Sequence, residues 1–150
     1  MKVLKIIFST FIFIVTTTLC YAAPVSQLPY NCNFENPVEN AEWTFAQRPT
    51  AGARFYVCTA IARSGQHSMY VSNDGGVSAA YDDNTTSGYY VVASREFSLL
   101  PGNYELAFDW KAVGTAGDAF RIAWMPASVF ASQTLGGAGS NGGEFPAYMT

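Results

Sequence analysis

The sequence predicts an all-β domain: an antiparallel β-sandwich of the jelly-roll kind, and an incomplete one. Three observations lead there. Short apolar runs are separated by Gly, Asn, Asp and Ser, the punctuation of hairpin-connected strands. Aromatic residues make up 15% of the chain and charged ones only 13%, a balance that suits strands packed on a filled core. One stretch also alternates: Tyr104, Leu106, Phe108 and Trp110 interleave with Glu105, Ala107, Asp109 and Lys111. A two-residue period puts aromatics on one face and charges on the other. No window sustains a helical period with caps.

Residues 1–22 read as a secretory signal peptide. Lys2 and Lys5 supply the positive start. Ile6 to Leu19 is an uncharged apolar stretch of fourteen residues, and small residues stand at Ala22 and Ala23. That core is shorter than the roughly 20 residues that span a bilayer, so cleavage is expected over a retained anchor, with no transmembrane segment in the mature chain. Leu19 stands where a lipoprotein signal places a small residue before its cysteine, which argues against lipidation at Cys20. The expected location is the cell exterior or surface.

The domain proper is expected over 23–130. Strands are predicted near Cys32–Glu35, Ala53–Ala62, His67–Ser72, Val77–Tyr81, Tyr89–Phe97, Tyr104–Val113 and Ala119–Met125. Turn chemistry separates them. Asp74-Gly75 is a tight-turn dipeptide. "DDNTTSG" (82–88) is a polar loop, and Pro101-Gly102 precedes the alternating run as in a type II turn. Seven strands at this spacing suggest a sandwich or jelly roll. The tail, 131–150, is Gly-rich; it reads as a flexible linker or as a loop of a domain that continues. No internal repeat is present.

Charge narrows the partners. Without Lys2 and Lys5, six basic residues face eleven acidic ones, a formal charge of −5. No Lys/Arg cluster exists, so nucleic acid is a poor partner, because phosphate binding needs concentrated positive charge. Processing leaves two cysteines, Cys32 and Cys58. In an exported protein they form either one disulfide or two free thiols, and no zinc pattern surrounds them.

Several segments together carry a family resemblance: "LPYNCNFEN" (28–36), Trp43, "SGQHSMYVSNDGG" (64–76) and "PGNYELAFDWKAVGTAGDAFRIAWMP" (101–126). In this combination the chain resembles the choice-of-anchor J and cleaved-adhesin domains, MAM-like jelly rolls of secreted and surface proteins of Bacteroidetes. The resemblance covers about residues 28–126. It implies a non-catalytic module that serves adhesion or substrate binding, stands beside other domains of a longer polypeptide, and often holds structural Ca²⁺. Two departures stand out. Such domains run on to a late Ile-Asp-Asp/Asn-Ile motif that this chain lacks before Thr150, so the domain is expected to be incomplete. The MAM pairing of an opening cysteine with one a few residues later has no counterpart, because no cysteine lies between Cys32 and Cys58.

Candidate chemistry is sparse. The sole histidine, His67, neighbours Ser64 and Ser68, but no Gly-x-Ser-x-Gly elbow exists, and on a strand His67 and Ser68 point to opposite faces. Glu35, Asp74, Asp82, Asp83, Asp109 and Asp118 could pair as glycosidase carboxylates, yet most sit at turns, where Asp serves backbone hydrogen bonding. For calcium, a hard cation collecting oxygens from distant segments, the candidates are Glu35, which the resemblance places at a ligand position, Asp74 and Asp118. The alternative is turn-forming carboxylates. For sugar stacking the candidates are Trp43, Tyr81, Tyr89, Tyr90 and Trp124, against the alternative of core aromatics; Trp110, on the apolar side of its strand, is expected in the core. The expected function is a secreted, non-enzymatic adhesion or binding module, attaching to surface glycans or proteins or acting as a spacer. The alternative is an accessory domain of a secreted peptidase or glycoside hydrolase whose catalytic domain is absent here.

Overall fold

The structure, a computed structural model, describes residues 22–48, 52–81, 90–114, 118 and 120–128. The expected signal peptide up to Tyr21, Tyr89, Asp82, Asp83 and the Gly-rich tail lie outside them.

The regular structure of the described chain is mostly strand, in two small antiparallel sheets. A short helix, α1 (Pro37–Asn40), precedes β1 (Thr44–Arg48), β2 (Arg54–Cys58), β3 (Ser68–Ser72) and β4 (Tyr90–Ser94). β1 pairs with β4, from Thr44 opposite Ser94 to Arg48 opposite Tyr90. β2 pairs with β3, with Tyr56 opposite Tyr70 at the centre. The two ribbons meet where β2 touches β1 and β4. A parallel bridge, Val25 to Phe97, ties the N-terminal segment to the chain after β4. Its hydrogen bonds run from Val25 N–H to Glu96 O (2.9 Å) and from Ser98 N–H to Val25 O (2.8 Å).

The best-shielded side chains gather on β3. Tyr70 and Ser72 are buried, with Ala53 packed at the start of β2. Tyr70 joins two loops: its hydroxyl accepts from Ala60 N–H (3.1 Å) and donates to Gly76 O. Ser72, fully buried, accepts from Gly76 N–H (3.0 Å) and donates to Asp74 Oδ1 (2.6 Å). These hydrogen bonds offset the desolvation of the buried hydroxyl. The 73–76 turn is therefore held from within.

Four expected strands take other forms. Cys32–Glu35 is irregular, because Phe34 has a φ of 64° and breaks the extended run. Val77–Tyr81 folds back over the turn, with Asn73 N–H bonded to Ala80 O (3.1 Å). Tyr104–Val113 and the described part of Ala119–Met125 join no ladder among the described residues. Alternation says which face a side chain takes; a strand also needs a hydrogen-bonded neighbour. Two elements escaped the sequence reading. α1 begins with Asn36, whose side chain accepts from Val38 N–H (2.9 Å), and with Pro37 in its first turn. β1 carries one large apolar residue, Phe45, and finds its partner about fifty positions away, in β4.

Candidate functional site

A second polar cluster joins the N-terminal segment, α1 and Arg95, just after β4. Arg95 is almost wholly buried, its side chain 5% exposed, and Glu39 on α1 is 24% exposed. Arg95 Nε donates to Glu39 Oε1 at 3.0 Å, Nη2 reaches Oε2 at 3.5 Å, and Nη1 donates to Ala23 O. Tyr30 donates its hydroxyl to Glu39 Oε1. The Tyr30 ring stands edge-on to Phe97, with centroids 5.2 Å apart.

Burial pushes the Glu39 carboxyl up, but the Tyr30 and Arg95 donors and the Arg95 charge outweigh it and hold the group below its ordinary value. Burial, with the bond to Glu39, raises the Tyr30 phenol. The cluster is thus a carboxylate and a guanidinium that neutralise each other beside a neutral phenol. Nothing in the sequence announced it, since Glu39 and Arg95 lie in unrelated segments.

Over this cluster opens a hollow of about 550 Å³, bordered by the 25–36 segment, α1 and Arg95. Carboxamides line it: Gln27, Asn31, Asn33, Asn36 and Asn40.

The carboxylates expected to hold calcium stand apart, each in its own local work. Glu35 Oε1 accepts the backbone N–H groups of Gln66 (2.6 Å) and His67 (2.8 Å), and Oε2 accepts from His67 Nδ1 (2.8 Å). These donors bring the carboxyl down to about 2, from an ordinary 4.5. Asp74 accepts from Ser72 Oγ, Ser78 N–H (2.9 Å) and Ser78 Oγ (2.6 Å), and is likewise held at about 2. Asp118 accepts from Tyr81 Oη at 3.1 Å. Among the described residues no three acidic, His or Cys side chains converge. A calcium ion needs roughly six to eight oxygens. Glu35, Asp74 and Asp118 stand in separate places among the described residues, so the three do not together supply that shell.

His67 faces Glu35, and the adjacent Ser68 Oγ donates to Ile61 O, so the two do not form a nucleophile–base pair. Trp43 is half-buried and packs on Phe34, with centroids 5.9 Å apart; its ring is a packing element. Tyr81 is half-buried beside Asp118. Cys32 and Cys58 are free thiols. Cys32 lies by Tyr30 and Cys58 ends β2 against Gly76, so the expected alternative of a bridge between them is not formed.

Large apolar side chains gather elsewhere. Tyr104, Leu106, Phe108, Trp110, Phe120 and Trp124 are all exposed, so Trp110 is not the core residue that its place on the apolar side of the alternating run predicts. Trp110 and Phe120 stack at 5.5 Å with rings 17° apart, 64% and 52% exposed, and Phe108 meets Phe120 at 6.3 Å. Arg63 pairs with Asp109, which ties this stretch to the loop between β2 and β3. Asp109 is thus in a surface ion pair. Among the described residues no helix is long and apolar enough to cross a membrane.

No family model, curated protein or solved structure matches the chain.

Proposed function

We propose that the protein is an exported, non-catalytic attachment module that holds to surface glycans or proteins. The observation that carries this is the aromatic surface built on Trp110, Phe120 and Phe108. An exposed apolar patch of this kind marks an interaction surface, and stacked flat rings offer faces to sugar rings or to a protein partner. Asp109, next to Trp110, is paired with Arg63, while Lys111 and Arg121 also flank the rings in sequence.

Three further supports come from the chain. The N-terminal sequence has the charge and apolar pattern of an export signal. The family resemblance over 28–126 points to adhesion or substrate binding. The Glu35–His67 pair joins two loops, and the hydroxyl of the adjacent Ser68 is bonded to Ile61 O. The two antiparallel ribbons are read as parts of a jelly-roll β-sandwich.

The test is a binding screen of the purified protein on glycan arrays and on immobilised extracellular proteins. Saturable binding to members of either set supports attachment. Absence of binding to both, with hydrolytic activity toward glycoside or peptide substrates, would replace it with an enzymatic function.

A further inference from the structure

We infer that the hollow over Tyr30, Glu39 and Arg95 is a second binding site, separate from the aromatic surface, and that it takes a neutral saccharide. It is a polar depression of about 550 Å³, within the size range of small-ligand sites.

The first argument is the state of its charges. The Arg95 guanidinium is engaged on all three nitrogens, by both Glu39 oxygens and by Ala23 O. Glu39 also takes the Tyr30 hydroxyl. Arg95 is almost fully buried, so freeing a donor for a ligand would strip a buried charge of its partner. The floor is built and electrically closed. It offers nothing to a phosphate, sulfate or carboxylate.

The second argument is the rim. Gln27 and Asn31 use neither end of their carboxamides within the described residues. Asn33 and Asn36 use only Oδ1, toward Glu35 N–H (3.1 Å) and Val38 N–H (2.9 Å), which leaves their Nδ2 donors open. Asn40 uses Nδ2, toward Phe34 O (2.7 Å), while its buried Oδ1 has no partner. Each carboxamide offers a donor or an acceptor, or both, without charge. A row of vicinal hydroxyls, each both donor and acceptor, is the complement of such a rim. A peptide would gain from an apolar pocket for a side-chain anchor. Here Phe34 packs on Trp43 and Tyr30 on Phe97, so no aromatic pocket is left open to receive one.

The choice of a saccharide is consistent with the attachment function but does not require the aromatic surface. The experiment is titration of the purified protein with neutral methyl glycosides, followed by ligand-observed NMR. Asn31→Ala and Gln27→Ala are compared with Gln66→Ala, an exposed carboxamide outside the hollow. The glycoside with the strongest saturation transfer should lose fivefold or more in affinity with the first two variants and keep it with the third. Melting curves should match for all three, because none of these side chains holds the fold. Preference for uronic or sulfated sugars would overturn the inference, as would equal binding by all variants or binding of peptides in place of sugars. If Asn31→Ala leaves array binding intact while a Trp110 variant abolishes it, the attachment function stands and the hollow is not its site.

Discussion

Glu35 and His67 are 32 positions apart, yet one carboxylate grips both the backbone and the ring of that histidine: Oε1 takes the N–H groups of Gln66 and His67, and Oε2 lies 2.8 Å from Nδ1. The pair pins the segment before α1 to the start of β3.

Stability should therefore fall in acid over a defined range. Glu35 and Asp74 are both held at about 2, below ordinary values of 4.5 and 3.8. A depressed native pKa stabilises the fold fully above the unfolded value and loses that contribution as pH falls toward the native one. The melting temperature should decline from about pH 4.5 to about pH 2. Glu35→Gln should start lower by a few degrees and show a shallower decline over the same range. Thermal melts across pH check this; parallel curves for the two proteins would remove Glu35 from the effect.

Gly65 sits beside this pair with a φ of +70°, and a Cβ there would strike Glu35 Oε1. Gly75 has a similar φ of +82° with open space around it. Both Gly→Ala changes carry the left-handed backbone cost, about 1 kcal/mol. Gly65→Ala should cost more, by dislodging Glu35. Chemical denaturation of both variants checks the order.

The buried pair makes a sharper prediction. Arg95→Met leaves Glu39 without its cation, and loss of one partner of a fully buried pair costs roughly 3–5 kcal/mol. Glu39 keeps about a quarter of its surface in water, so about 2 kcal/mol is expected here. The double variant Arg95→Met/Glu39→Gln should recover part of the loss. A double-mutant cycle in denaturant measures the coupling.

Ser72→Ala should destabilise by about 1–2 kcal/mol, since it leaves Gly76 N–H without its acceptor and frees Asp74 Oδ1 from a donor. Ser78→Ala, at a half-buried position, should cost less. Equilibrium unfolding separates the two.

What the sequence disclosed follows from its local signals. β2 and β3 were legible because apolar and aromatic residues cluster over Phe55–Val57 and Met69–Val71 and a strong turn follows. β4 was legible from its Val-rich run. The Tyr104–Lys111 alternation predicted an apolar and a charged face, but every residue of the run is exposed and it joins no ladder among the described residues, because alternation does not reveal whether a neighbouring strand exists. α1 carried its signal in Asn36-Pro37 and was hidden by its length of four residues. The Glu39–Arg95 pair and the Arg63–Asp109 pair depend on how distant segments are folded together, and no spacing rule reaches them. The three carboxylates expected to gather around calcium are each claimed by local or cross-loop N–H and O–H donors, a competition that residue type does not reveal.

Attachment through the aromatic surface is most directly tested by comparing the wild-type protein with Trp110→Ala/Phe120→Ala on the glycan or protein surface that captures it. Both side chains are more than half exposed, so their removal should leave the melting temperature within a degree or two. Surface binding should fall tenfold or more. Undiminished binding by the folded double variant would contradict attachment through this surface.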